Sequence, residues 1–262
     1  MTTPGPLGAT LNTTGAEAVA AAAELEELGY ATLWLPGGQG SNLPLIAEVI
    51  HGTAKIPVAS GILPVDRVPP ADVARAYADL PAGRFVVGLG GAHGPRPLAT
   101  LNDYLDELDD TVPASARILS ALGPKMLELA RDRASGAYPY LVTTDYVASA
   151  REILGAGRQL VVLLNVVAET DAAAARETVR AGSLRFLAGV PGYANNFRRM
   201  GFTDSDVTDL SDRLVDGVTV WGDFDTVVAR LREYRAAGAD QVVVPAGDLP
   251  RAWWPRLAEA LG

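Results

Sequence analysis

Along most of the chain, short β-rich apolar runs alternate with longer stretches whose apolar positions recur at three and four. Such alternation calls for parallel strands joined by crossover helices, because parallel neighbours need a connection long enough to return to the start of the sheet. The pattern predicts strands at Leu7–Leu11, Ala31–Leu35, Ile56–Ile62, Arg84–Gly90, Ala116–Leu119, Ala137–Val142, Leu160–Val167 and Gln241–Pro245. Helices are predicted at Gly15–Leu28, from a Ser41 cap to Ile50, at Pro70–Leu80, Pro97–Asp110 and Gly123–Ala134, from an Asp145 cap to Leu154, and at Pro250–Leu261. Eight strands in 262 residues suit a single α/β domain, a (β/α)8 TIM barrel, which typically needs ~250 residues. A doubly wound open sheet fits less well, since it normally stops at about six strands. The connection between the seventh and eighth strands is too long for one crossover. It holds helical patterns at Asp171–Leu187, Asp204–Leu214 and Asp223–Ala237, and an irregular stretch at Gly189–Phe202. Residues 188–220 are therefore expected to be an insertion over the C-terminal mouth, a candidate lid on a barrel spanning 1–262.

Composition narrows the function classes. Acidic residues outnumber basic ones 31 to 22, giving a net charge of −9. A field of that sign opposes nonspecific binding to nucleic acid or anionic lipid, which depends on clustered cations. There is no cysteine, so disulfides, thiolate zinc, iron–sulfur clusters and thiol nucleophiles fall away. Two histidines, His51 and His93, cannot make a three-histidine metal site; only a carboxylate-rich site would remain, and no metal is expected. No secretion signal opens the chain and no run approaches the ~18 apolar residues of a membrane span, so a cytoplasmic protein without membrane or nucleic-acid partners is expected.

In a barrel of this kind the working face is the C-terminal end of the strands. The loops there offer Asn12, Thr13 and Thr14, then Trp34 and Pro36–Gly40, and Ser60, Gly61 and Ile62. Further on come Gly90, Gly91 and His93, then Ser120 and Gly123–Met126, and finally Tyr140, Thr143 and Thr144. No carboxylate pair of the glycosidase kind and no strand-end lysine appears among them. Sites poor in acids, bases and nucleophiles but rich in Gly, Ser, Thr and aromatics suit a large planar cofactor that carries the chemistry itself. Gly88–Gly94 departs from the dinucleotide fingerprint, its third glycine standing one residue late. Its glycines permit close approach of backbone to ligand, or simply a tight turn. Gly123-Pro124-Lys125 opens a helix whose free N–H groups, with a lysine beside them, can receive a phosphate; an ordinary helix start reads the same way. Trp34 can lie beneath a ring or in the barrel core. Arg198 and Arg199 can clamp an anion or solvate a helix face. His93 is the histidine placed on the working face, and its imidazole can donate to a ring atom or carbonyl.

Several segments together resemble the luciferase-like monooxygenase superfamily, in particular its actinobacterial F420-dependent oxidoreductase branch. They are Glu26–Trp34, Pro57–Ile62, Gly83–His93, Ala121–Ala130, Ala134–Thr143 and Ala237–Val244. The resemblance implies a luciferase-like barrel binding coenzyme F420, or alternatively FMN, at its C-terminal mouth, with hydride passing between the deazaflavin and a small organic substrate. It implies that Ser60-Gly61-Ile62 lies against the ring in a bulge carrying a non-proline cis peptide. By the same resemblance Gly90, Gly91 and His93 approach the cofactor, with His93 as the catalytic candidate, and Gly123-Pro124-Lys125-Met126 and Thr143 hold its phosphate. Asn12, Trp34 and Tyr140 complete the expected cofactor site, and a homodimer is expected. Two departures stand out: Pro36-Gly37-Gly38-Gln39 replaces an acidic residue or histidine common in relatives, and the loop after Gly94 is short. They keep two further readings open, an FMN-dependent monooxygenase of the same barrel and a catalytically impaired barrel.

Overall fold

The computed structural model describes residues 5–37, 41–92 and 94–262. Its first strands are β1 (Leu7–Thr10), β2 (Leu33–Leu35) and β3 (Val58–Ser60), the last resuming after a bulge as β4 (Leu63–Pro64). Then come β5 (Phe85–Gly90), β6 (Arg117–Leu119), β7 (Gly136–Ala137), β8 (Gln159–Leu163), β9 (Asn165–Val167), β10 (Thr219–Trp221) and β11 (Gln241–Pro245). The parallel order β3-β2-β1-β11-β8-β7-β6-β5 is closed by Val58 and Ala59 of β3 pairing with Phe85 and Val86 of β5. The ring is an eight-stave barrel with no parallel edge left open, as expected.

Each stave alternates between two apolar layers. Leu33, Val58 and Val242 face the surrounding helices, while Trp34, Ala59 and Val243 fill the barrel interior with Ile118, Tyr138 and Val161. Burial on both faces explains why β11 is apolar from Val242 to Pro245. The outer helices begin with α1 (Gly15–Glu27), α2 (Leu43–Gly52), α3 (Pro70–Asp79), α4 (Pro97–Leu108), α5 (Pro124–Arg133) and α6 (Thr144–Leu154). After β9 come α7 (Ala172–Ala181), α8 (Ser183–Ala188), α9 (Pro191–Arg199), α10 (Asp204–Asp209) and α11 (Asp212–Val218), followed beyond β10 by α12 (Phe224–Ala236) and α13 (Trp253–Leu261). Among the described residues no helix is long and apolar enough to cross a membrane.

The structure corrects several expectations. Gly189–Phe202 is mostly the helix α9, opened by Pro191 in its first turn. Tyr193 and Phe197 lie four apart on it, their rings 6.3 Å apart, and that packing overrides its turn-like composition. Asp204–Leu214 breaks at Leu210, a left-handed residue with φ 49°. Asp171–Leu187 breaks at Gly182, and the seventh strand breaks at Leu164 into β8 and β9. The unforeseen β10 pairs in parallel with β9. Thr143, not Asp145, caps α6: its hydroxyl accepts from the Tyr146 N–H at 3.1 Å, which leaves Asp145 inside the first turn. At α2 the cap position falls on Asn42, whose Nδ2 donates to the carbonyls of Leu35 and Pro36. Ser41 still accepts weakly from the Leu43 N–H at 3.4 Å.

Candidate functional site

The mouth is shaped first by the interruption between β3 and β4. Where the ladder to β5 lapses, the buried Ser60 hydroxyl accepts from the Gly88 N–H at 2.8 Å and donates to the Gly88 carbonyl at 2.9 Å. One side chain thus satisfies both backbone groups that the bulge would leave unpaired. The Gly61 N–H donates to the Leu35 carbonyl at 2.8 Å, and the Gly61–Ile62 peptide is cis. The displaced carbonyls crowd neighbouring glycines: a Cβ at Gly88 would stand 1.8 Å from the Ser60 oxygen, and one at Gly37 1.7 Å from the Ile62 oxygen. These two glycines serve the bulge. Gly90 is close-packed as well, its Cβ position lying 2.8 Å from Ser120 Cβ and 3.3 Å from Ile62. In the Gly90-Gly91 pair, Gly91 is the residue that needs the left-handed region, at φ 73°.

Trp34 is an interior residue. It stacks on Tyr138 at 3.9 Å and 8°, and its Nε1 donates to Gln241 Oε1 at 3.3 Å. That stacking takes up one face of the indole, and Ile62 packs against the same interior cluster. His93 and the Gly38–Gly40 part of the second loop lie outside the described residues.

Two cavities open at the C-terminal end. The larger, about 950 Å³, is lined by Asn12, Gly61, Tyr140, Glu169, Ser183 and Asp248 among others. Asn12 Nδ2 donates to Asp248 at 3.3 Å, and the Tyr140 hydroxyl lies 2.9 Å from the Ser183 hydroxyl on α8. Burial pushes the Tyr140 phenol above its ordinary pKa, so it stays protonated at neutral pH and able to donate.

The smaller cavity, about 250 Å³, lies where the first turns of α5 and α6 meet α9. Pro124 and Thr143 line it from the barrel, Asn196, Arg199 and Met200 from the other side. Gly123 is the cap position of α5, and a Cβ there would lie 3.5 Å from Arg199 Nη2. Tyr146 donates to the carbonyls of Ala121 and Leu122 at 3.1 and 3.0 Å, tying the loop before α5 to α6. Between the cavities runs the Tyr140–Thr143 loop, whose buried Leu141 holds φ 56°, an uncommon conformation for leucine. Of the phosphate segment read from the sequence, Gly123, Pro124 and Thr143 gather here. Lys125 is exposed and outside the lining, and Met126 packs against the barrel core. The cation that faces the cavity is Arg199. Sequence reasoning passed over Tyr146 and Asn196; their signals were Tyr146's place three residues past the Thr143 cap and Asn196's place one turn before Arg199.

No group of three or more metal-ligating side chains assembles among the described residues. In closed parallel barrels the active and ligand sites lie at the C-terminal ends of the strands, where both cavities open. Residues 1–119 match the luciferase-like monooxygenase family. A Mycobacterium tuberculosis protein, provisionally named a coenzyme F420-dependent oxidoreductase, is 26% identical over 318 aligned positions covering 89% of this chain and 90% of that protein. The coenzyme F420-dependent tetrahydromethanopterin reductase of Methanopyrus kandleri superposes with a TM-score of 0.71 at 17% identity, over 98% of this chain and 97% of the other. An F420-dependent secondary alcohol dehydrogenase, solved with an F420–acetone adduct, gives 0.75 at 11% identity, over 99% and 98%. The FMN-bound oxygenating constituent of 3,6-diketocamphane monooxygenase from Pseudomonas putida gives 0.63 at 16% identity, over 98% and 97%. The chain is thus similar in sequence to the luciferase-like monooxygenases through residue 119, and it shares the fold of these barrels over nearly its whole length.

Proposed function

We propose that the chain is a coenzyme F420-dependent oxidoreductase that moves hydride between the deazaflavin and a small organic substrate. The observation that carries this reading is the smaller cavity, where Arg199, Thr143 and two helix N-termini provide for a phosphate group. The residues fit such a group: no ion pair to a carboxylate occupies Arg199 among the described residues, and Gly123 leaves the approach to it clear. The M. tuberculosis relative and two structural neighbours, all named for F420, support the same cofactor.

When bound, the deazaflavin supplies the hydride. The chain's part is to hold, orient and shield it. Gly123, Pro124, Thr143 and Arg199 would take the phosphate, and Lys125 lies outside that lining. Asn12, Gly61, Ile62, Gly90, Gly91 and Tyr140 would surround the ring, with Ser60 fixing the bulge and Trp34 the floor. Tyr140 would donate a hydrogen bond at a ring or substrate oxygen, and His93 would serve as the catalytic donor. Residues 188–220 act as an insertion that closes over the mouth and excludes water. The reading places a homodimer in the cytoplasm, acting on small molecules, and the net charge of −9 argues against nucleic-acid partners.

Titration with F420 and with FMN, followed by tryptophan fluorescence and cofactor absorbance, tests the proposal. Tight F420 and weak FMN binding is expected. Preference for FMN would instead make the chain a monooxygenase served by a separate reductase, a reading the FMN-bound P. putida neighbour favours. Binding of neither would leave an impaired barrel.

A further inference from the structure

How the chain would tell one phosphate-bearing cofactor from another follows from the charges lining the smaller cavity. Among its described lining residues, Arg199 carries the one positive charge and Asp145 the one negative. The helices that begin there, α5 and α6, each present roughly half a positive charge at the N-terminus. The sum is close to a single positive charge.

Arg199, like Arg185 and unlike four other arginines of the same stretch, pairs with no carboxylate among the described residues. Arg176 pairs with Asp212 and Asp216, Arg180 with Asp212, Arg198 with Asp204 and Arg213 with Asp206. These four hold the α7–α11 helices to one another. Arg199 instead donates from Nη2 to the Oδ1 of Asn196 at 3.1 Å, and Asn196 is 1% exposed. That bond holds the guanidinium beside the cap of α5, where Nη2 would be 3.5 Å from a Cβ at Gly123. It leaves the other guanidinium N–H groups free of any carboxylate among the described residues.

We propose that Arg199, balanced by Asp145, makes this cavity select a singly charged phosphodiester over a doubly charged phosphate monoester. The proposal rests on the F420 reading, because F420 carries its phosphate as a diester and FMN as a monoester. A monoester bears about −1.5 to −2 at neutral pH, more than the cavity's charge can balance. The diester's single charge is matched, and because its phosphate continues into a further substituent it suits a cavity open to solvent. The cation comes from α9 and the helix N-termini from the barrel, so the bound phosphate also bridges the two.

The test is fluorescence titration of the full chain with F420 and FMN as probes, in the wild type and in Arg199→Gln, Arg199→Lys and Asp145→Asn, with thermal melts run in parallel. The wild type should prefer F420. Arg199→Gln should weaken F420 binding by about tenfold or more, and Arg199→Lys should restore most of it. Asp145→Asn should strengthen FMN binding more than F420 binding, narrowing the preference by about two- to fivefold for an exposed charge. Unchanged F420 affinity in Arg199→Gln, or an unchanged preference in Asp145→Asn, overturns the selection role and leaves the F420 reading standing. A wild type that prefers FMN or binds neither cofactor overturns both. If Arg199→Gln fails to fold, the Asp145→Asn ratio decides alone.

Discussion

The barrel and the α7–α11 helices are held together by different forces. In the barrel, eight staves close on themselves with apolar layers on both faces, and backbone oxygens stand where a Cβ at Gly37, Gly88 or Gly136 would be. In the α7–α11 stretch a cluster of ten buried apolar side chains, with Leu141 as the contribution from the barrel loops, is laced by arginine–aspartate pairs. The barrel therefore depends on shape and on room for backbone. The helices depend on a small core and on ionised carboxylates, and they should yield sooner.

The sharpest way to break this comparison is Gly88→Ala. The added methyl would occupy the space of the Ser60 carbonyl, 1.8 Å from it, and that oxygen belongs to backbone fixed in the barrel wall. We expect loss of the folded barrel, or a cost of about 4 kcal/mol or more; a circular dichroism melt within about 3 °C of the wild type would show that the wall can yield. Next in size is Phe197→Ala, which empties a fully buried site in the helical cluster and should cost about 3–5 kcal/mol. Hydrogen exchange should rise across 176–218 while strands β1, β5 and β11 stay protected. Equal deprotection of those strands would make the two regions one cooperative unit.

The smallest expected effect comes with acid. Hydrogen bonds from Ser211 and Thr203 hold the Asp206 carboxyl far below its usual range, and the Arg176 hydrogen bond lowers that of Asp216. A depressed folded-state pKa gives stability that is present above the unfolded value, near ~3.9 for aspartate, and lost as pH falls through the folded value. Between neutrality and about pH 5 the helices should keep their protection, and below about pH 4 their exchange should quicken ahead of the barrel's. Acid exchange profiles that fall together would refute the distinction.

The same contrast explains what the sequence disclosed. Strands buried on both faces announce themselves as apolar runs, so the barrel and its order were legible, while the bulge at Ser60–Ile62 was expected from the family resemblance. Helix α9 was not, because Pro191-Gly192 and Asn195-Asn196 have the composition of turns and only the packing of Tyr193 and Phe197 makes them helical. Three-residue β10 offers too short a pattern to read between two helices. At the site, Lys125 stands beside a helix start in the sequence but lies outside the lining of the smaller cavity. The cation that lines the cavity arrives from a helix distant in sequence, and linear spacing carries no record of that meeting. Nor could the order of residues show that the glycine of Gly88 answers to a carbonyl of Ser60 rather than to a ligand.

Ser60 has a consequence for anyone reshaping this mouth. Its hydroxyl closes a gap in the sheet by acting at once as donor and acceptor to a single peptide unit, Gly88. Alanine would strand both partners in a dry wall, cysteine would offer only weak bonding at a longer reach, and threonine would bring a methyl into a space already filled. The residue beside it, Gly61, borders the open cavity and meets its nearest neighbour, the Tyr138 ring, at ordinary contact distance. Library diversity aimed at the mouth can therefore begin in the loops beyond, while position 60 stays constant as a seam of the scaffold.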